Sequence, residues 1–231
     1  MGRPKIGPVK VVLFGATGMV GQGVLRECLL DPRIDHVLAI GRNQTGQKDP
    51  KLQELPHDDF LDFSAIENQL TGYDACFFCL GVSSAGMNEQ AYRRVTYDFT
   101  LAAARALARQ SPQLTFIYVS GTATDSTERG RVMWARVKGA TENALQTLGF
   151  RGAYSFRPGY IQPLHGVTSR TSWVRAIYIV AAPLYPMLNA IAPRYVTTTE
   201  RIGRAMINVA ERGWPTPVLE GEDINRAAEN R

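Results

Sequence analysis

The sequence predicts an α/β fold, a doubly wound parallel sheet with helices on both faces and a small, mostly helical C-terminal cap. Three observations lead there. Short apolar runs alternate with helical stretches through roughly the first 160 residues; a glycine-spaced turn joins the first run to the first helix; and beyond Pro158-Gly159 the alternation gives way to apolar segments broken by prolines. The 231 residues, 45% hydrophobic and 20% charged, suffice for one substantial α/β domain with an appendage.

Taken in order, residues 9–14 form a buried strand and 20–30 a helix. Residues 37–40 make a second strand ending at Gly41-Arg42, 51–55 a short third, and 63–70 a helix. Residues 75–80 are a fourth strand and 88–108 a long helix whose alanines (Ala102, Ala103, Ala104, Ala108) suit close packing on a sheet. Strand five covers 114–119, a helix 131–148, and strand six 153–157. The strands are near-continuously apolar, as expected of a sheet covered on both faces, and the intervening helices imply right-handed crossovers. The chain divides into a tail (1–8), a core (9–160) and a cap with C-terminal elements (161–231), all within one structural domain. In the last part, 160–200 read as a broken-helix cap over the carboxyl ends of the strands, 200–212 as a helix, 218–219 as a late strand and 223–230 as a terminal helix.

The chemistry begins at Gly15-Ala16-Thr17-Gly18-Met19-Val20-Gly21. Glycines at this spacing let the chain turn sharply and let a pyrophosphate approach the amides, while the helix that follows offers free N–H groups and its positive dipole end. A dinucleotide is the expected ligand, held by Gly15, Thr17, Gly18, Met19, Val20 and Gly21. The residue that reads the adenosine ribose is expected just past the second strand, where an Asp or Glu would accept the ribose hydroxyls. Arg42 holds that place. Its forked cation suits a 2′-phosphate, so NADP(H) is expected in preference to NAD(H).

The net charge of +5 is scattered without a long basic run, which argues against a nucleic-acid partner. Cys76 and Cys79 have C-x-x-C spacing, but residues three apart on an apolar strand point to opposite faces, and no second pair completes a metal site. They read as small hydrophobes, and with Cys28 they suggest a reducing compartment; with no apolar signal segment, the expectation is a cytoplasmic protein. No uninterrupted apolar stretch reaches the about 20 residues of a membrane span. Residues 173–191 combine Trp173, Tyr178 and Tyr185 with flanking arginines, a pattern of membrane-surface helices; the internal prolines argue instead for the cap's own core or a subunit interface.

The glycine turn, Gly41-Arg42, Asp59-Phe60, Cys79-Leu80-Gly81, Val119-Ser120, Val137-Lys138-Gly139 and Phe156-Arg157-Pro158-Gly159 occur in this order. The set resembles an atypical short-chain dehydrogenase/reductase with an NAD(P)-binding Rossmann core, in the branch related to the epimerase/dehydratases and the Tat-interacting oxidoreductase-like proteins. The resemblance covers residues 9–160 well and the cap poorly. It implies that Asp59 and Phe60 border the adenine, that Leu80 and Gly81 pass the ribose and phosphates, and that Pro158, Tyr160 and Ile161 lie beside the nicotinamide. It also implies a catalytic Ser with Tyr-x-x-x-Lys on one helix face, and a homodimer through the two long helices.

Ser120 and Lys138 stand at the serine and lysine places, but the tyrosine place is Trp134. An indole N–H donates a hydrogen bond and does not titrate usefully, so it cannot be the general acid. Tyr160, His165 or a water relayed to Ser120 remain as proton sources. Two readings follow. One is an NADP(H)-dependent oxidoreductase on a small apolar carbonyl substrate; the other is a catalytically weak or inactive NADP(H)-binding sensor or scaffold protein.

Overall fold

The computed structural model describes residues 7–167 and 193–229. Seven parallel strands form one sheet in the order β3-β2-β1-β4-β5-β6-β9: β1 (Val9–Phe14), β2 (Ile34–Gly41), β3 (Leu52–Pro56), β4 (Ala75–Phe78), β5 (Thr115–Val119), β6 (Gly152–Arg157) and β9 (Val218–Glu220). The order reverses at β1, which pairs with β2 on one side and β4 on the other. In open α/β sheets that reversal opens a crevice at the carboxyl ends of the strands, where ligands bind.

Each face of the sheet carries its own apolar layer. On one, Val11, Leu13 and Phe77 pack with α1 (Met19–Leu30), α5 (Thr199–Arg212) and α6 (Gly221–Glu229). On the other, Val12, Phe14, Cys76 and Phe78 pack with a 3₁₀ helix (Ser64–Leu70), α3 (Phe99–Gln110) and Leu145 of α4 (Met133–Gln146). Alternate strand residues supply the two layers, which is why uninterrupted apolar runs were legible as doubly covered strands. It is also why Cys76 and Cys79 do not face each other: Cys76 is buried in the second layer, and Cys79 packs against the first.

Several expected elements differ in detail. The fourth strand stops at Phe78, so residues 79–82 are free to line the crevice. The expected helix over 63–70 is a 3₁₀ helix. The long helix expected over 88–108 begins with α2 (Glu89–Arg93), capped by Asn88 Oδ1 accepting from the Ala91 N–H at 2.8 Å. It then passes through a π turn (Arg94–Asp98) into α3. Thr100 Oγ1 donates to the Thr96 carbonyl at 2.7 Å in this region, a side-chain bond that competes with the regular ladder. A second sheet was not anticipated: β7 (Tyr160–Gln162) pairs in parallel with β8 (Val196–Thr198), tying the exit of β6 to the start of α5. Most of the expected cap, including the whole membrane-surface candidate 173–191, lies outside the described residues.

One buried ion pair anchors the elements that carry the site. Glu142 on α4 accepts from Arg157 at the end of β6 through Nε at 3.0 Å and Nη2 at 2.5 Å. The Glu142 side chain is 3% exposed and that of Arg157 11%. Arg157 also reaches Ser126 Oγ at 2.5 Å and Glu220 at 3.3 Å, so one guanidinium links α4, the 121–132 loop, β6 and β9. Removing Arg157 leaves the buried Glu142 carboxylate without its guanidinium, whereas removing Glu142 still leaves Arg157 its bonds to Glu220 and Ser126. We predict that Arg157→Ala lowers stability by about 3–5 kcal/mol in urea melts, more than Glu89→Ala, which breaks only an exposed pair with Arg136.

Candidate nucleotide-binding site

At the carboxyl end of β1 the chain turns on Gly15, whose φ of +77° is the left-handed region that side chains avoid. The Gly18 N–H closes the turn on the Gly15 carbonyl at 2.9 Å, and Gln22 Nε2 braces it from α1 by donating to the Thr17 carbonyl at 3.0 Å. α1 then passes so close that a Cβ on Gly21 would lie 2.0 Å from the Gly15 oxygen. Gly18 at its start offers no side-chain cap, which suits an anion as the partner of the first-turn N–H groups.

In front of this turn lies a cleft of about 390 Å³, lined by residues 15–19, 39–45, 54–56, Phe60 and 79–82. It therefore gathers Gly15, Thr17, Gly18, Met19, Arg42, Phe60, Leu80 and Gly81 from the residues expected to hold a cofactor. Phe60 combines cleft wall and core: it is 4% exposed and stacks on Phe99 at 5.6 Å. Arg42 is exposed and makes no ion pair among the described residues. Asp59 does not reach the lining; its carboxylate accepts from the Leu61 N–H at 3.0 Å. Val20 and Gly21 lie one step behind it in α1, Val20 against the core. The sequence reading missed Ala39, Ile40, Asn43, Gln44, Thr45, Glu54, Leu55 and Pro56, which β2 and β3 bring to the cleft through pairs such as Ala39↔Glu54.

Beyond the cleft, one strand along, stands a second group. Ser120 follows β5, its N–H donating to the Phe156 carbonyl at 2.8 Å, and its Oγ lies 3.0 Å from Thr124 Oγ1. Thr124 spends its only hydroxyl proton on the Gly121 carbonyl at 2.7 Å, so Ser120 is the donor in that pair and can turn its proton to a ligand. Lys138 reaches the same strand end from α4: Nζ donates to the Val119 carbonyl at 3.5 Å and lies 5.4 Å from the centre of the Tyr118 ring. The side chain is partly exposed, yet the protein packed around its ammonium desolvates it and lowers its pKa to about 8, against a smaller upward pull from Glu142. Gly139 admits the loop after β5: a Cβ there would lie 1.8 Å from the Asp125 oxygen. The small residue thus serves a helix–loop contact.

Trp134 occupies the first turn of α4, half-buried, one turn before Lys138. Of the other proton sources considered, Tyr160 donates its hydroxyl to Gln162 Oε1 at 2.8 Å. His165 sits on an exposed loop, 2.7 Å from Glu200, whose carboxyl the contact holds below its ordinary range. Pro158 accepts from the Thr122 N–H at 3.0 Å, and Ile161 is buried in β7. This segment therefore borders the Ser120 loop and lies outside the cleft lining.

The lowered pKa of Lys138 has a stability consequence of definite sign. Folding disfavours its charged form, so the penalty is fully present below pH 8 and fades as the pH rises toward the ordinary lysine value of 10.5. Lys138→Met is predicted to raise Tm at pH 7 by a few degrees, with the gap closing by about pH 10. Equal melting temperatures at pH 7, by calorimetry, contradict the desolvation.

No family model matches the chain. In sequence it is 28% identical over 218 residues to the protein FMP52-2, mitochondrial, of Scheffersomyces stipitis, covering 92% of this chain and 90% of that one. It is 24% identical over 201 residues to the protein HTATIP2 of Rattus norvegicus, covering 86% and 79%. In structure it matches a short chain dehydrogenase family protein from Francisella tularensis with TM-score 0.67 at 12% identity, covering 93% of this chain and 96% of that one. It matches the Bordetella bronchiseptica enzyme WbmF in complex with NAD+ with TM-score 0.67 at 13% identity, covering 97% and 78%.

The Fmp52 names overturn the expectation of a cytoplasmic protein, since these relatives are designated mitochondrial. Unpaired thiols mark a compartment that keeps them reduced without singling out the cytoplasm, and a search for an apolar signal does not see the amphipathic segments that direct mitochondrial import. Among the described residues no helix is long and apolar enough to cross a membrane. Sheet order and these structural matches show a Rossmann fold like that of short-chain dehydrogenase and epimerase structures, and in sequence the chain is similar to the Fmp52 and HTATIP2 proteins.

Proposed function

We propose that the chain is an NADP(H)-dependent oxidoreductase acting on a small apolar carbonyl compound. The observation that carries the reading is the junction of two features at one cleft: a glycine turn feeding an uncapped helix start, and the guanidinium of Arg42, exposed and without an ion pair among the described residues. A diphosphate fits the first and a 2′-phosphate the second. That WbmF was solved with NAD+ supports a nicotinamide dinucleotide in this fold. When bound, the nicotinamide supplies or accepts hydride.

The chain's own residues have the following roles in this reading. Phe60 closes the adenine end, Leu80 and Gly81 follow the ribose and phosphates, and Lys138 holds the second ribose. Pro158, Tyr160 and Ile161 flank the nicotinamide. Ser120 turns its hydroxyl proton from Thr124 to the substrate oxygen and so orients the carbonyl. With an indole at the tyrosine place, the proton comes through a water relayed to Ser120, whose hydroxyl is the donor toward Thr124 and free to turn to a ligand. A homodimer through α3 and α4 belongs to the same reading.

The test of the cofactor assignment is binding. Arg42→Ala is expected to weaken NADPH by about 1.5–3 kcal/mol, roughly ten- to hundredfold, and NADH little. Equal losses by calorimetry refute the phosphate contact. Trp134 favours a second reading, a protein that binds NADP(H) as a sensor or scaffold without turnover. NADPH oxidation followed by absorbance with aldehydes and quinones separates the two. In the enzyme reading the wild type turns over slowly and Trp134→Tyr speeds it about 10²-fold or more. Tight binding with no oxidation by either protein selects the sensor.

A further inference from the structure

We infer that Glu54 is a specificity-determining residue at the adenosine end of the cleft: its carboxylate holds the loop that carries Arg42 and limits the preference for a phosphorylated ribose. The inference rests on the proposed dinucleotide function and deepens it. Glu54 lies in β3 opposite Ala39, three residues before Arg42, so the ladder brings a carboxylate and a guanidinium to one wall. They are the two charged residues among those lining the cleft, and they form no ion pair with each other.

Glu54 is engaged with the loop backbone. Its Oε1 accepts from the Thr45 N–H at 2.5 Å, and the Gln47 N–H in turn donates to Thr45 Oγ1 at 3.1 Å. Residues 44–49 have no regular secondary structure, so these bonds determine where Asn43, Gln44 and Thr45 stand along the cleft. The carboxylate thus has two opposed effects on a ligand. It preorganises the loop, which helps any dinucleotide. Its charge repels a 2′-phosphate drawn in by Arg42, and the same oxygens accept hydrogen bonds from a plain ribose. The two effects separate by substitution, because glutamine keeps the acceptor for Thr45 and loses the charge, whereas alanine loses both.

Kd values for NADPH and NADH, measured by calorimetry at low salt on the wild type, Glu54→Gln and Glu54→Ala, test the inference. Glu54→Gln is expected to widen the NADPH-over-NADH ratio roughly three- to tenfold, an effect that shrinks on adding salt. Glu54→Ala is expected to weaken both nucleotides, with its melting temperature checked against the wild type so that loss of the loop is not mistaken for unfolding. A ratio for Glu54→Gln within about twofold of the wild type, or one that moves toward NADH, overturns the inference while leaving the proposed function standing. Failure of the wild type to bind either nucleotide overturns the proposed function and this inference with it.

Discussion

The site depends on how closely α1 approaches the end of β1. At Gly21 the helix lies against the Gly15 carbonyl with no room for a methyl group, and Gly15 takes a backbone conformation that other residues avoid. These two positions put the first turn of α1 at the strand end, and the helix begins there without a side-chain cap. The reversal of strand order between β1 and β4 opens the sheet at the same point. An anion-seeking helix end and an open crevice thus coincide because one turn is too tight for side chains.

Around that turn the charges are distributed by burial. The largely buried pair, Glu142 with Arg157, is joined by two hydrogen bonds and acts as a strut between α4 and β6. Lys138, one turn earlier on α4, meets the Val119 carbonyl at long range and the face of Tyr118, and burial lowers its pKa. Charge that is well compensated holds the frame, while poorly compensated charge is left at the strand ends. At the other side of the cleft the balance is different: Arg42 stands in solvent, and Glu54 is tied to the backbone of the loop between them.

Much of this was legible in the sequence, and the reasons can be seen residue by residue. The runs around Val11, Phe77 and Ile117 read as strands because both sheet faces are covered, leaving no polar alternation to blur them. The glycine turn was readable because its spacing encodes a steric requirement. The 3₁₀ form of 64–70 and the π turn at Arg94–Asp98 were not, since they differ from an α-helix only in which carbonyl each N–H meets. The compartment was misread because thiol count and missing apolar signal respond to redox state and secretion, to neither of which mitochondrial import corresponds.

By itself the sequence determined the alternation of elements, the glycine turn after the first strand, and the residue types at the serine, lysine and tyrosine places, because these follow from local sterics and periodicity. Only the tertiary structure decided that Glu54 joins Arg42 on one wall, that Asp59 stays off the lining, that Arg157 finds Glu142, and that β7 pairs with β8. Those relations join residues up to tens of positions apart through strand register and helix packing, which the local pattern of side chains does not specify.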